Sequence, residues 1–223
     1  MSEKFPIFEI SPEAPEESEA MGTKEKFWFH HAELGLCLYK KARQNTGEDW
    51  SEKIAAELCQ LIQLPHAEYE LATFNHEKGT ISKSFLPENS SLIPGNEILA
   101  QIFVDYPEDI NHLSQHTLDN IFRVFNSSSV DSPMSWIPSS GIKTAADTFI
   151  GYLLLDAWIG NSDRHHENWA FVALEGKSYL APTYDHASCL GRNESDERRA
   201  KRLQTKDLGF SVAAYAKKCK SCL

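Results

Sequence analysis

The 223-residue sequence holds no apolar run long enough to cross a bilayer, and residues 1–20 are acidic instead of basic and then apolar. A membrane span and an export signal are therefore not expected, and the cytoplasm is. Basic charge is in short supply too: 22 Lys and Arg face 32 Asp and Glu, for a formal net charge of -10. Direct nucleic-acid binding by a charge field is not expected on that balance. The one dense basic run, Arg198-Arg199-Ala200-Lys201-Arg202, reads as a solvated helix face. The five cysteines are odd in number and scattered, so they build no disulfide framework and fit reduced thiols. Cys219 and Cys222 form a lone C-x-x-C, which without a second pair is a poor metal or redox signal. Glycine is nowhere arranged as G-x-x-x-x-G-K-[ST] or G-x-G-x-x-G, and no serine sits in a G-x-S-x-G elbow. A chain of this length buries one good core, in a domain of one or two lobes.

What is present is a polar knot between two apolar segments: Gly160-Asn161-Ser162-Asp163-Arg164-His165-His166-Glu167-Asn168-Trp169-Ala170-Phe171. Chemistry-bearing residues packed between buried segments mark a site more often than a plain surface loop. Asp163 and Asn168 stand five apart, the spacing of a phosphoryl-transfer loop in which the Asp takes the hydroxyl proton and the Asn holds magnesium. Three other readings compete. The stretch could be a helix C-terminus followed by a solvated turn. Asp163, His165, His166 and Glu167 could ligate a transition metal, although no third His follows at zinc spacing. A nucleophile at Ser162 is the weakest. The residues that follow favour phosphoryl transfer. Trp169 to Leu174 and Ser178 to Pro182 read as two strands about a Glu175-Gly176-Lys177 turn, and Thr183-Tyr184-Asp185 comes next. A hairpin there returns the chain to its starting end, bringing Asp185 beside Asn168 as a second oxygen ligand for magnesium.

Gly160 to Phe171, together with Pro182-Thr183-Tyr184-Asp185-His186, resembles the HipA-like serine/threonine kinase family, in its C-terminal kinase domain. The Asp163-Arg164-His165 and Asn168 core is similar also to phosphatidylinositol-type lipid kinases. Ordinary eukaryotic protein kinases differ, having His and Arg where Asn161 and Ser162 stand, and the chain has neither D-F-G nor A-P-E. The resemblance runs from about Gly22 to Asp185. It implies an α+β, two-lobed protein-kinase-like fold with a small antiparallel β-rich N-lobe and a mainly helical C-lobe. It implies ATP and Mg2+ as cofactors and a protein substrate phosphorylated on Ser or Thr. It also raises an antitoxin-like partner, although an acidic leader stands here where longer relatives carry an extra N-terminal subdomain.

Read in order under that resemblance, residues 1–20 form an acidic flexible leader, 21–87 the N-lobe and 88–223 the C-lobe. Gly22, Thr23 and Lys24 resemble the nucleotide-side loop, before a strand at Phe27 to Phe29. Leu36 to Lys40 is an apolar strand ending in a lysine that reaches nucleotide phosphates, with Lys41 on the opposite face. Asp49 to Ile62 is a helix with apolar residues at 54, 55, 58, 61 and 62, ended by Pro65. Glu52 matches the position that pairs with the lysine, though its spacing from Asp49 also suits a capping box. Strands at Ala67 to Phe74 and Gly79 to Phe85 complete the sheet, and Phe85 and Leu86 form the hinge facing adenine. Asn126 to Pro133 reads as a mobile loop. Thr144 to Trp158 is the strongest helix, capped by Thr144 and Asp147, with Phe149, Ile150, Leu153, Leu154, Ala157 and Trp158 as a core stripe. Asp163 and His165 are then the catalytic residues, Asn168 and Asp185 the metal ligands. Only 38 residues follow Asp185, where the family normally continues into a larger helical lobe, so either a shortened member or an incomplete chain is expected. A nucleotide-binding pseudokinase serving as an interaction module and a lipid or small-molecule kinase are the alternatives.

Overall fold

The computed structural model describes residues 4–18, 25–107, 114–220 and 223. They form two compact units, one of residues 1–58, 67–84 and 186–219, the other of 59–66, 85–185 and 220–223. The architecture is α+β, as expected.

The first unit is built on a six-stranded sheet in the order β1-β5-β6-β4-β3-β2. Its strands are β1 (Ile7–Ile10), β2 (Glu17–Ser18), β3 (Lys26–His31), β4 (Gly35–Lys41), β5 (Tyr69–Phe74) and β6 (Glu77–Lys83). All pairings are antiparallel except β1 with β5. Strand side chains alternate, and Phe27, Phe29, Cys37, Tyr39, Ala72 and Ile81 form the core on one face with Ile10. The Phe27 ring lies 4.7 Å from Phe74 and 5.0 Å from Tyr39, centroid to centroid. β1 corrects the expectation of a flexible leader over residues 1–20. Its Phe8 and Ile10 join the aromatic core, which gives the segment apolar surface to bury despite the acidic residues around it.

Helix α1 (Glu48–Leu61) follows β4. Its buried side carries Glu48, Ser51, Glu52, Lys53, Ala55, Ala56 and Cys59, while Ile54 and Leu61 are exposed. The helix is therefore turned away from the orientation its apolar residues predict. Polar residues can face inward because each finds a partner: Lys53 bridges Glu57 at 2.7 Å and Glu70 at 2.9 Å. Glu48 accepts from Arg192, and Ser51 Oγ donates to the Ala187 carbonyl at 2.8 Å. These last contacts also explain why residues 186–219 group with the sheet and not, as expected, with a C-lobe of 88–223. That segment carries α5 (Asp196–Gln204) and α6 (Val212–Ala216). Arg202 joins the two, ion-paired to Glu194 and stacked over Phe210 and Tyr215.

The second unit contains β7 (Ser91–Pro94), α2 (Gly95–Ile102), α3 (Leu118–Ser127), β8 (Val130–Asp131), α4 (Ala145–Ile159), β9 (Ala170–Leu174) and β10 (Lys177–Leu180). Its sheet runs β7-β9-β10-β8. β9 and β10 are the expected hairpin, while β8 pairs parallel with β10 inside the stretch expected to be a loop. Phe125, Phe149, Trp169 and Phe171 pack together, with Phe149 and Trp169 5.6 Å apart. The Thr144–Asp147 capping box is formed, and Gly160 ends α4 at φ 66°, the left-handed conformation that glycine adopts without strain. Among the described residues no helix is long and apolar enough to cross a membrane.

Candidate active site

In the second unit, the end of α4 feeds directly into the polar knot. Asn161 donates through Nδ2 to Asp156 Oδ1 at 2.8 Å, and its own Oδ1 accepts the Asp163 N–H at 3.3 Å. Arg164 then points inward and is fully buried. Its Nε and Nη2 donate to the two Asp156 oxygens at 2.7 and 2.9 Å. Nη2 also reaches Thr183 Oγ1 at 2.9 Å, and Nη1 donates to the main-chain oxygens of Asn168 at 2.5 Å and Tyr184 at 3.4 Å. Burial works against the Arg164 charge, but the Asp156 carboxylate outweighs it and the guanidinium stays protonated. One side chain thus ties the helix end, the loop and the segment after β10. Tyr184 closes the link from the other side, donating its hydroxyl to the Glu167 carbonyl at 2.7 Å.

The start of α2 supports the same loop. The N–H groups of Gly95 and Asn96 donate to the Trp169 and His166 carbonyls at 2.9 and 3.0 Å. A Cβ on Gly95 would come within 2.2 Å of the Trp169 ring and 2.6 Å of the His166 oxygen, so only glycine lets the strands and loop approach this closely. Beneath the loop, Trp169 donates to His116 Nε2 at 3.2 Å and the Tyr106 hydroxyl meets His166 Nδ1 at 3.0 Å. Burial depresses the His116 pKa to about 3 and raises that of Tyr106 to about 12, so both are neutral.

In the first unit, Lys40 pairs in register with Thr80 on the face opposite the aromatic core. Both line a recess with Glu48, Asp49 and Glu52 of α1 and with Ala187. Glu52 is buried, and its Oε1 accepts the main-chain N–H of His186 at 2.6 Å.

No protein-family model matches the chain, and no curated protein sequence does. Solved structures match it by shape. The proinflammatory kinase CtkA of Helicobacter pylori superposes with a TM-score of 0.67 at 16% identity, covering 88% of this chain and 65% of that one. HipA of Shewanella oneidensis MR-1, from a toxin–antitoxin complex with HipB and operator DNA, gives 0.53 at 13% identity over 79% of this chain and 44% of that one. The fold is that of the HipA-like kinases. This chain spans less than two thirds of the length of either neighbour.

On the HipA-like fold the residues singled out from sequence fall as follows. Asp163, His165, Asn168 and Asp185 lie in the second unit, and Arg164 holds the backbone of Asn168 to that of Tyr184, one residue before Asp185. Asn168 donates Nδ2 to the Asp163 carbonyl at 2.6 Å, which leaves its Oδ1 as the end able to meet a cation. His165 Nδ1 accepts the Glu167 N–H at 3.2 Å, holding the turn. Asp185 adopts φ 56°, a left-handed conformation that is uncommon for residues other than glycine and clusters at functional sites. Phe85 and Leu86 pack on Ala170, Val172 and Ala181, with the Phe85 ring stacked on Tyr184 at 5.9 Å. Lys40 and Glu52 share the recess of the first unit. The partner found for Glu52 is the His186 main chain, whereas the resemblance implied the Lys40 ammonium. Lys41 is engaged with Glu25 at 3.3 Å. Gly22, Thr23 and Lys24 lie outside the described residues. Among the described residues no three His, Cys, Asp or Glu side chains gather as a group that could hold a metal ion.

Arg164, Asp156, Thr183 and Gly95 escaped the sequence reading. A signal existed for the first two: Asp156 is a lone carboxylate deep in an apolar helix, and a buried charge demands a partner.

Proposed function

We propose that this chain is an ATP- and magnesium-dependent kinase that phosphorylates a Ser or Thr hydroxyl of a protein. The observation that carries the reading is the Arg164 hub, which holds the main chain of Asn168 and of Tyr184 through one buried guanidinium. That arrangement supports the reading, because it ties the loop that carries Asp163 and Asn168 to the segment that leads into Asp185. Their donors suit the cofactor. An amide oxygen and carboxylates are the ligands of a hard cation, and magnesium takes only one or two protein carboxylates, filling its shell with phosphate and water. When bound, ATP with magnesium supplies the phosphoryl group. Asp163 accepts the proton of the attacking hydroxyl, and His165 keeps the turn in shape through its bond to the Glu167 N–H. Asn168 and Asp185 are the metal ligands, Lys40 offers an ammonium to the phosphates, and Glu52 holds the backbone that follows Asp185. Phe85 and Leu86 form the hinge beside the base. Positioning and charge account for nearly all of the rate in such a site. The reading puts the chain in the cytoplasm, and the HipA neighbour's company makes an antitoxin-like protein a reasonable partner to screen.

Thermal unfolding with ATP, with and without magnesium, is the first test, since a ligand bound by the folded state alone raises the melting temperature. Transfer of labelled phosphate to protein, to lipid or to no acceptor follows. Magnesium-dependent stabilisation and label on protein are expected. Absence of any stabilisation would overturn nucleotide binding. Stabilisation without transfer would leave an interaction module, and label on lipid alone would move the substrate class.

A further inference from the structure

The hydroxyl of Tyr184 is what separates this residue from a phenylalanine, which would pack as well on Ala170, Val172 and Ala181. The ring stacks on Phe85 at 5.9 Å, with 29° between the planes, inside the range of attractive aromatic pairs. The hydroxyl donates to the Glu167 carbonyl at 2.7 Å. Phe85, Glu167 and Tyr184 all belong to the second unit.

The Glu167 carbonyl shares a peptide group with the Asn168 N–H, which donates to the His165 carbonyl at 2.9 Å. A peptide group is planar, so Tyr184 at the oxygen and His165 at the hydrogen hold it by both edges. Asn168 takes its direction from that plane. The peptide group that enters Asp185 carries the Tyr184 carbonyl, to which Arg164 Nη1 donates at 3.4 Å. Asp185 leaves it at φ 56°, a conformation that a residue with a side chain keeps only where its surroundings over-determine it. Thr183 anchors Tyr184 from the preceding side. Its N–H donates to the Pro65 carbonyl at 3.0 Å, and its Oγ1 accepts from Arg164 Nη2 at 2.9 Å.

We infer that Tyr184 is a positioning residue of the site: it fixes the peptide groups that enter Asn168 and Asp185 and sets both against Phe85. The inference rests on the kinase reading above, in which Phe85 flanks the base and the other two hold magnesium. It goes beyond that reading because it joins the base side to the metal side through one side chain. A group that touches only the base contributes uniform binding, so its loss raises KM and leaves kcat alone. A group that aligns the metal ligands acts on the positioned, charged transition state, so its loss lowers kcat. Through Tyr184, Phe85 does both.

Amide hydrogen exchange of the ligand-free chain and steady-state transfer from magnesium-ATP test this on the parent, Tyr184→Phe, Phe85→Ala and the double variant. All are measured well below their melting temperatures. Tyr184→Phe keeps the stack and loses one hydrogen bond. Faster exchange at the Asn168 amide is expected, with KM for ATP unchanged and kcat lower by about three- to tenfold, the range one such bond spans. Phe85→Ala raises KM and lowers kcat, and its cost in kcat shrinks in the Tyr184→Phe background because the two act through one contact. Unchanged exchange or unchanged kcat in Tyr184→Phe overturns the inference. So does a Phe85→Ala effect confined to KM, or losses in kcat that simply multiply. A parent without transfer removes the kinase reading and this role with it. Faster exchange in Tyr184→Phe, recorded without nucleotide, then shows that the reading failed and not the clamp on the loop.

Discussion

Breaking the Asp156–Arg164 pair separates the scaffold's contribution to stability from its contribution to chemistry. Asp156→Asn is nearly isosteric, but it leaves a fully buried guanidinium without its counter-charge and turns an amide N–H₂ toward Arg164 donors at 2.7 or 2.9 Å. Losing one partner of a buried ion pair costs about 3–5 kcal/mol. For a chain of this size 1 kcal/mol is about 2–4 °C in melting temperature, so a fall of roughly 6–20 °C is expected. Arg164→Met goes further, because it also abandons the Asn168 and Tyr184 carbonyls and Thr183 Oγ1. Each buried acceptor left unmade adds ~1–3 kcal/mol. The combination Asp156→Leu with Arg164→Met removes both charges and regains part of the loss, so its cost falls short of the sum of the singles.

Phosphate transfer from magnesium-ATP, measured well below each variant's melting temperature, then separates the two contributions. Stability partly returns in the double variant and transfer does not, because nothing draws Asn168 toward Tyr184 any longer. Full transfer in folded Arg164→Met would refute the claim that this side chain assembles the site. A change below about 1 kcal/mol in Asp156→Asn, the scale of an exposed pair, would refute the assignment of a buried, unscreened one.

Asp163→Asn abolishes phosphate transfer while the thermal shift with magnesium-ATP persists, because the base is lost and the ligand set is not; calorimetry beside the transfer assay checks both. Asp185→Ala weakens magnesium-ATP binding itself, visible as a reduced thermal shift. Burial holds the folded His116 pKa near 3, against the ordinary value of 6.5. The stability that the neutral ring contributes is thus fully present above about pH 6.5 and is lost as pH falls toward 3, at ~1.4 kcal/mol per pH unit. Denaturant titrations at pH 7 and pH 5 should differ by roughly that slope below 6.5, and His116→Gln, which can still accept from Trp169, should flatten it. Thr144→Ala removes the acceptor of the Asp147 N–H at 3.0 Å and costs about 1 kcal/mol in the same titration.

Local chemistry was readable where a few adjacent residues decide the outcome. The Thr144–Asp147 box, the Gly160 stop and the β9–β10 hairpin all follow from neighbours within ten residues, and each formed. Failures came where the partner is distant in sequence. β1 looked like an acidic tail because its place beside β5 depends on residues more than sixty positions away. Arg164 sits between Asp163 and His165 in a polar run, and partners outside that run, Asp156 eight residues back and Thr183 nineteen ahead, help make its burial possible.

Helix α1 carries the same lesson to the proposed site. Apolar periodicity predicts that Ile54, Leu58 and Leu61 turn inward, yet the helix buries Glu48, Ser51 and Glu52. A helix gives up apolar burial for polar groups only if those groups are matched, since each unmatched one adds a cost comparable to a leucine's exposure. All three are matched by a single distant segment: Arg192 to Glu48, the Ala187 carbonyl to Ser51, and the His186 N–H to Glu52. The rotation of α1 is therefore set by residues 186–192, which begin one position after Asp185. Substituting Ser51 or Glu48 with leucine strengthens the apolar pattern and should still weaken the fold, because it strips a hydrogen-bond donor from the Ala187 carbonyl or the carboxylate from the Arg192 guanidinium.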